Sequence, residues 1–354
     1  MSRLLISCGS LTSGGAERVL SILSKPFADD FSSITYLMWT DAPVFYSIDE
    51  RVELISLEKE AKSKNKITKC LWFRKYVKNT KPDLILSFLT PFNMLALAAL
   101  IGIKQKIAVA ERNDPYQIPG GKIMAIIRNL LYRKATGILV QTQYARTCFK
   151  GRLAEKTHVV YNPTMMEETI VGSALKSAKE DRIVSVGRLQ MQKDQKTLID
   201  AFWLFRKTHP SYILEIYGEG PCRAELERHI KEKGMEGYVF LPGTTENVWS
   251  RIMSAKVFVL TSLMEGMSNA MIEAMCLGIP VISTKVAGAT ELIKDSENGF
   301  LVDCKDINTI SERMAFIADN ENIANDIGHN ASKLYRILNH QSIVPEWIKY
   351  INSL

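Results

Sequence analysis

The chain has 354 residues, 46% of them hydrophobic and 23% charged, which is ample for two cores of ordinary domain size and too long for one comfortable domain. Its formal net charge of +7 is uneven: residues 1–162 carry 24 Lys+Arg against 13 Asp+Glu, and the remainder carries 21 against 25. Six cysteines, at 8, 70, 148, 222, 276 and 304, form no CxxC pair, the N-terminus lacks a signal-peptide layout, and the longest uncharged apolar run, Met94–Ile103, is about half of a bilayer span. A disulfide scaffold and a membrane-spanning protein are therefore disfavoured, and a reducing cytoplasm is the expected location.

In chain order, apolar runs of strand length alternate with helical patterns, the signature of parallel α/β architecture. The first half gives strands at Leu4–Ser7, Ile34–Met38, Val52–Leu57, Asp83–Phe88, Ile107–Ala110, Ile138–Gln141 and His158–Tyr161. The second gives Ile183–Val186, Ile213–Tyr217, Val239–Leu241, Val257–Leu260, Val281–Ser283 and Phe300–Val302. Asn162-Pro163-Thr164 and the weakly patterned Met165–Asp181 between them read as a linker, so one doubly wound domain is expected over 1–164 and a second over 165–339. The tail from Glu321 reads as helical with Pro345 as a break before Trp347, and a last helix at about 340–354 is expected to pack back on the first domain.

Much of the positive excess is local. Lys59, Lys62, Lys64, Lys66, Lys69, Arg74, Lys75, Lys78 and Lys81 run past Ile67, Leu71, Trp72, Phe73 and Val77, the pattern of a basic amphipathic helix. Such a helix is either a solvated face or a surface for anionic lipid. No nucleic-acid-binding motif accompanies it.

The most informative stretch is Glu265-Gly266-Met267-Ser268-Asn269-Ala270-Met271-Ile272-Glu273, two acids separated by seven residues around a helix start. Val257–Leu260 is the strand before it, Ser268 or Asn269 the N-cap, and Gly278 before Pro280 the stop. Backbone N–H groups at such an N-terminus suit a phosphate, and carboxylates beside them suit hydroxyls, since an ionised acid only accepts. A sugar nucleotide combines an anionic middle with hydroxyl-rich ends.

A second constellation, Gly187-Arg188-Leu189 with Lys193, follows the strand Ile183–Val186. It brings two cations to a strand's carboxyl end, where ligands of open α/β sheets bind. A third, Gly9 to Glu17 with adjacent Gly14 and Gly15, opens a helix after the first strand and matches neither GxGxxG nor the P-loop. Tyr217-Gly218-Glu219-Gly220-Pro221 lacks the third glycine of a dinucleotide motif and reads as a tight turn. None of the histidines at 158, 209, 229, 329 and 340 lies in a motif, and there is no Asp-x-Asp to hold a divalent ion.

With these three motifs in order, the chain resembles the large GT-B family of retaining glycosyltransferases, family 4 (E-x7-E, group 1), which includes bacterial surface-polysaccharide and lipid-linked oligosaccharide transferases. Glu265 and Glu273 match its E-x7-E motif, Gly187-Arg188-Leu189 with Lys193 its diphosphate loop, and Gly14-Gly15-Ala16-Glu17-Arg18 its N-terminal glycine loop. The resemblance implies two Rossmann-like domains facing an interdomain cleft, with acceptor bound mainly by the first and donor mainly by the second. It implies Glu265 at the donor sugar, Glu273 on the ribose, and the backbone of Met267, Ser268 and Asn269 on the diphosphate or sugar. Arg188 and Lys193 would stabilise the leaving diphosphate, Gly14 and Gly15 would approach the donor phosphates, and backbone around Gly243–Val248 would meet the base. Where many relatives carry a histidine, this chain has Glu111-Arg112-Asn113 as a sugar or acceptor contact, and a guanidinium there is no general base. The expected activity is retaining, metal-independent transfer of a hexose or N-acetylhexosamine from a nucleoside diphosphate sugar, UDP favoured, to a polyprenyl-diphosphate-linked saccharide, with no cofactor, on the inner face of the plasma membrane. A soluble small acceptor, a sugar-nucleotide epimerase and a non-catalytic nucleotide-sugar sensor are the competing readings.

Overall fold

The computed structural model describes residues 3–245 and 247–354, and the chain divides into two compact units. Unit 1 is Met1–Pro163 with His340–Leu354, and unit 2 is Thr164–Asn339.

Unit 1 holds seven parallel strands: β1 (Arg3–Cys8), β2 (Ser33–Met38), β3 (Val52–Ser56), β4 (Leu84–Phe88), β5 (Ile107–Ala110), β6 (Gly137–Val140) and β7 (Thr157–Val159). Their order is β3-β2-β1-β4-β5-β6-β7, so the winding reverses between β1 and β4. The helices are α1 (Gly15–Asp30), α2 (Leu57–Glu60), α3 (Lys66–Thr80), α4 (Thr90–Ala99), α5 (Lys122–Tyr132), α6 (Gln143–Arg146) and α7 (Arg152–Glu155). In unit 2 come α8 (Glu168–Lys176), β8 (Glu180–Val186), α9 (Gln195–Arg206), β9 (Ile213–Tyr217), α10 (Arg223–Glu232), β10 (Val239–Gly243), α11 (Val248–Ile252) and β11 (Ala255–Leu260). They are followed by α12 (Asn269–Cys276), β12 (Val281–Thr284), α13 (Ala287–Leu292), β13 (Phe300–Val302), α14 (Ile307–Asp319), α15 (Glu321–Ser332) and α16 (Tyr335–Leu338). The second sheet runs β10-β9-β8-β11-β12-β13, all parallel, and reverses between β8 and β11. Strands such as β4, β5, β6 and β12 are buried at every residue, as sheets covered by helices on both faces require.

Every expected strand is present, with ends shifted by up to three residues. Three local expectations are corrected. The stretch read as a linker contains α8, which buries Val171 and Ala174, an apolar pair too short to register as a pattern. The basic segment is not one amphipathic helix: α2 ends at Glu60, and Asn65 Oδ1 caps a new start by accepting from Ile67 N at 2.8 Å. Lys69 points inward, donating to Trp39 O at 2.9 Å beside Glu58, while Ile67 and Leu71 face out. Pro345 does not break the tail, because α17 (His340–Asn352) runs through it. The hydrogen bond that Pro345 cannot make is offset by Ile343, Val344, Trp347 and Ile351, all buried against unit 1.

Trp347 is fully buried, stacked on Phe88 at the end of β4 with ring centroids 5.9 Å apart. Trp347→Ala is expected to lower the stability of unit 1 by about 3–5 kcal/mol by leaving a cavity under the sheet's carboxyl edge. Denaturant unfolding followed by a probe in each unit measures this, and an unmoved unit 1 transition contradicts it.

Candidate active site

In unit 2 the site is built at the reversal of strand order, where adjacent loops diverge and leave a crevice at the carboxyl ends of the strands. β8 delivers Gly187-Arg188-Leu189 and a single 3-10 turn, Met191–Lys193. Its neighbour β11 delivers Thr261–Met267 and then α12, capped by Ser268, whose Oγ accepts from Met271 N at 3.3 Å. No acid stands in the first turn of α12, so the positive end of its dipole is not neutralised from within the helix.

The two loops are tied together. Leu263 N donates to Gln192 O at 2.8 Å, Gln192 Nε2 donates to Met264 O at 2.8 Å, and Thr261 Oγ1 donates to the carbonyls of Lys193 and Asp194, each at 3.0 Å. On this frame Lys193 Nζ forms an ion pair with Glu265, and Ser262 Oγ donates to the same carboxylate oxygen at 3.3 Å. Both charged side chains are mostly buried, so solvent screens the pair weakly. Arg188 is exposed, and among the described residues its guanidinium has no hydrogen-bond or ion-pair partner. Glu273 lies on α12 at 2% exposure.

Glycines set the backing of this frame. Gly218 has φ +146°, and a Cβ there would stand 2.1 Å from Gly187 O; one at Gly220 would stand 2.3 Å from Leu189 O. The turn Tyr217–Pro221 is thus the support of the Arg188 loop. At Gly288 in α13 a Cβ would meet Gly266 O and Met267 Cα, each at 2.7 Å, so α13 presses on the turn that positions Met267. Gln192, Ser262 and Gly288 were not singled out from sequence; a glycine inside the short helical segment after β12 is the one signal that marks a close approach.

In unit 1 the loop Gly9–Gly15 leaves β1 at that sheet's reversal, with Gly14 as N-cap of α1. A Cβ at Gly9 would stand 2.3 Å from the Phe92 ring, so the loop begins in close contact with α4, and one at Gly14 would stand 2.1 Å from Glu17 Oε2 in the first turn of α1. Glu111, Arg112 and Asn113 follow β5. Glu111 is fully buried; Thr90 Oγ1 donates to it at 2.6 Å, Asn93 Nδ2 at 3.4 Å, and the Tyr132 hydroxyl also donates. Burial pushes its carboxyl up to about 7. Arg112, 7% exposed, donates to Asn162 and lies over the Trp347 ring at 5.1 Å. Its Nε and Nη1 have no partner among the described residues, and burial pushes it down to about 9. No salt bridge at this strand end involves it among the described residues. No group of three His, Cys, Asp or Glu side chains suited to a metal occurs among the described residues. Of the expected base contact at Gly243–Val248, residue 246 lies outside the described residues.

Because Glu111 stays protonated in the fold to about pH 7 but ionises near 4.5 when unfolded, the unfolded chain binds fewer protons across that window. Stability therefore falls as pH rises from about 4.5 to about 7, and the loss persists above it. Glu111→Gln is expected to remove this fall, on the order of 3 kcal/mol. Denaturant midpoints at about pH 5 and about pH 8 read the slope, and a variant with the wild-type slope contradicts the assignment.

Residues 166–334 match the family described as Glycosyl transferases group 1. Over 99% of this chain, a Campylobacter jejuni protein named GalNAc-alpha-(1->4)-GalNAc-alpha-(1->3)-diNAcBac-PP-undecaprenol alpha-1,4-N-acetyl-D-galactosaminyltransferase is 28% identical, with 98% of its own length covered. A second C. jejuni protein, named N-acetylgalactosamine-N,N'-diacetylbacillosaminyl-diphospho-undecaprenol 4-alpha-N-acetylgalactosaminyltransferase, is also 28% identical over 99% of this chain and 100% of its own. Among solved structures, HepE of Anabaena, determined with UDP and glucose, matches with a TM-score of 0.83 at 20% identity over the whole of both chains. TarM of S. aureus matches with a TM-score of 0.81 at 15% identity over 99% of each. The family match falls on the sheet that carries the loop between the two acids, and the full-length relatives extend the similarity across the other sheet, so the chain is similar to the group 1 glycosyl transferases and has the GT-B fold.

Proposed function

We propose that this glycosyltransferase moves a hexose or N-acetylhexosamine, the latter favoured, from a UDP-sugar to a polyprenyl-diphosphate-linked saccharide in surface polysaccharide or glycan assembly, with retention and without a metal. The observation that carries the donor site is the Lys193–Glu265 pair, locked between two loops at the N-terminus of α12 beside an exposed Arg188. The nature of the acceptor and of the sugar is supported by the two Campylobacter relatives, named as N-acetylgalactosaminyltransferases acting on undecaprenol diphosphate saccharides. UDP is supported by the HepE structure, which contains it.

In this reading the diphosphate lies on the N-terminus of α12, against the backbone of Met267, Ser268 and Asn269, with Gly187 allowing close approach and Arg188 and Lys193 adding charge. Glu265 accepts from the donor sugar's hydroxyls, oriented by Lys193 and Ser262. Glu273 takes the ribose. Unit 1 supplies the acceptor side through Glu111, Arg112 and Asn113. The bond from the anomeric carbon to the phosphate oxygen breaks, its electron pair leaving with the diphosphate, while the acceptor oxygen bonds the same carbon from the same face. A donor phosphate oxygen takes the acceptor proton, so no protein nucleophile is required. Charge grows on the leaving diphosphate in that transition state, and fixed cations there act on the rate more than on donor affinity. Arg112 contributes charge and not proton transfer, since it stays protonated at neutral pH even at about 9.

Lys193→Ala and Arg188→Ala are each expected to lower kcat about 10²- to 10³-fold with smaller changes in the donor KM. Purified protein given UDP-N-acetylhexosamine and a polyprenyl-diphosphate saccharide is expected to release UDP only when the acceptor is present, with EDTA having no effect and an α-linked product from an α-linked donor. Turnover without acceptor contradicts the acceptor assignment, loss of rate in EDTA contradicts metal independence, and a β-linked product contradicts retention.

A further inference from the structure

Among the described residues no Phe, Tyr or Trp is more exposed than Tyr116 and Tyr144, at 48% and 43%, and the two stand against each other. Tyr116 lies on the loop after β5 and Tyr144 on α6, just after β6. Their ring centroids are 5.0 Å apart with the planes tilted by 42°. Because β5 and β6 are neighbours in the sheet, both rings leave its carboxyl edge, on the loop that also carries Glu111, Arg112 and Asn113 and on the one beside it. Single exposed aromatics need no explanation, but two paired at a sheet edge where ligands bind do.

The surrounding hydrogen bonds hold this pair in place. Asp114 Oδ1 accepts from Tyr116 N at 2.9 Å, and Gln117 N and Ile118 N donate to Asp114 O at 3.1 and 3.0 Å. Arg128, 1% exposed, donates through Nη1 to the carbonyls of Pro115 and Ile118 at 2.6 and 3.1 Å, so the turn is fastened from the interior. On the other side Thr142 Oγ1 caps α6 by accepting from Ala145 N at 2.9 Å. One threonine joins the halves. Thr147 Oγ1 donates to Tyr144 O at 2.7 Å, which uses its one proton, so the Tyr116 hydroxyl, 2.8 Å from Thr147 Oγ1, is the donor in that bond. The Tyr116 oxygen is left as an acceptor. Neither the Tyr144 hydroxyl nor Asp114 Oδ2 has a hydrogen-bond partner among the described residues, although Asp114 is only 8% exposed. Burial, with the Asp114 charge nearby, holds the Tyr144 hydroxyl above the usual tyrosine range, so it stays a donor.

We infer that Tyr116, Tyr144 and Asp114 form a glycan subsite in unit 1, which takes a sugar unit of the acceptor saccharide beyond the one that receives the transferred residue. A sugar ring has C–H groups on its faces and hydroxyls around its rim; the faces suit the tyrosine rings, and the rim suits one free donor and two free acceptors. An alkyl chain would leave those polar atoms unpaired, and an anion would meet the Asp114 carboxyl. The choice of an acceptor sugar rests on the glycosyl-transfer reading. Binding energy from a remote sugar helps to orient the reacting hydroxyl, so the subsite makes the enzyme favour longer acceptors.

The test gives the purified full chain UDP-N-acetylhexosamine and polyprenyl-diphosphate acceptors bearing one, two or three N-acetylhexosamine units, and measures binding of the free trisaccharide by saturation-transfer NMR. In the wild type kcat/KM is expected to rise at least about tenfold from one sugar to three, and Tyr144→Ala to cut that rise to about twofold. Tyr144→Phe, which keeps the ring, is expected to retain most of it. Saturation is expected to pass from aromatic protons to the trisaccharide in the wild type and to be lost in Tyr144→Ala. The side chain is exposed, so thermal unfolding of both variants is expected to match the wild type. A wild type indifferent to acceptor length, a rise that Tyr144→Ala leaves intact, or trisaccharide binding that is absent or untouched by Tyr144→Ala overturns the inference. No turnover with any acceptor, while Tyr144→Ala abolishes trisaccharide binding, overturns the glycosyl-transfer reading and supports the subsite as a glycan-binding surface.

Discussion

The Lys193–Glu265 ion pair is the interaction on which the rest of unit 2's site depends, because it joins the loops of two strands at the one place where the sheet's winding order reverses. Backbone and amide bonds between Gln192, Leu263 and Met264 hold the loops within reach, and Ser262 fixes the carboxylate from the other side. A mostly buried pair of this kind contributes little net stability, since desolvation of both ions opposes their attraction. What it supplies is orientation. Glu265 is aimed by Lys193 and Ser262 beside a helix N-terminus with no acid in its first turn, while Arg188 is exposed.

Unit 1 uses the same sheet logic with different contents. Its glycine loop leaves β1 at the reversal, and its buried polar residues collect after β5. There Glu111 is held by Thr90, Asn93 and Tyr132, and Arg112 by Asn162 and the face of Trp347. Trp347 belongs to α17, so the last helix of the chain takes part in the site that the fifth strand opens. Tyr132 belongs to α5, so the polar network that holds Glu111 is also what leaves the isoleucines of α5 outside.

The strands and the order of the motifs were legible in the sequence because short apolar runs at sheet spacing carry their own signal, and the cap before α12 was legible as Ser268 or Asn269, of which the structure has Ser268. Side-chain pairing across loops was not. Arg188 and Lys193 read alike as cations for a diphosphate, and only the fold gives Lys193 a carboxylate partner 72 positions away while leaving Arg188 exposed. The lysine-rich segment misled for a related reason: Lys69 can turn inward because Trp39 O accepts from it, a contact between distant parts of the chain. In Lys122–Tyr132, the carbonyls of Pro115 and Ile118 recruit Arg128 to the buried side and leave the isoleucines outside, a pairing that sequence spacing does not carry. Pro345 breaks a helix on propensity, and the burial of its neighbours overrides it.

The central claim is that the N-terminus of α12, with Arg188 and the Lys193–Glu265 pair, is the donor site. A crystal structure of the chain soaked with UDP-N-acetylhexosamine tests it most directly. The account predicts the β-phosphate within hydrogen-bond distance of the Ser268 or Asn269 backbone and of Arg188, with a sugar hydroxyl on Glu265. A diphosphate bound elsewhere, with the Lys193–Glu265 pair and Arg188 untouched, would contradict it.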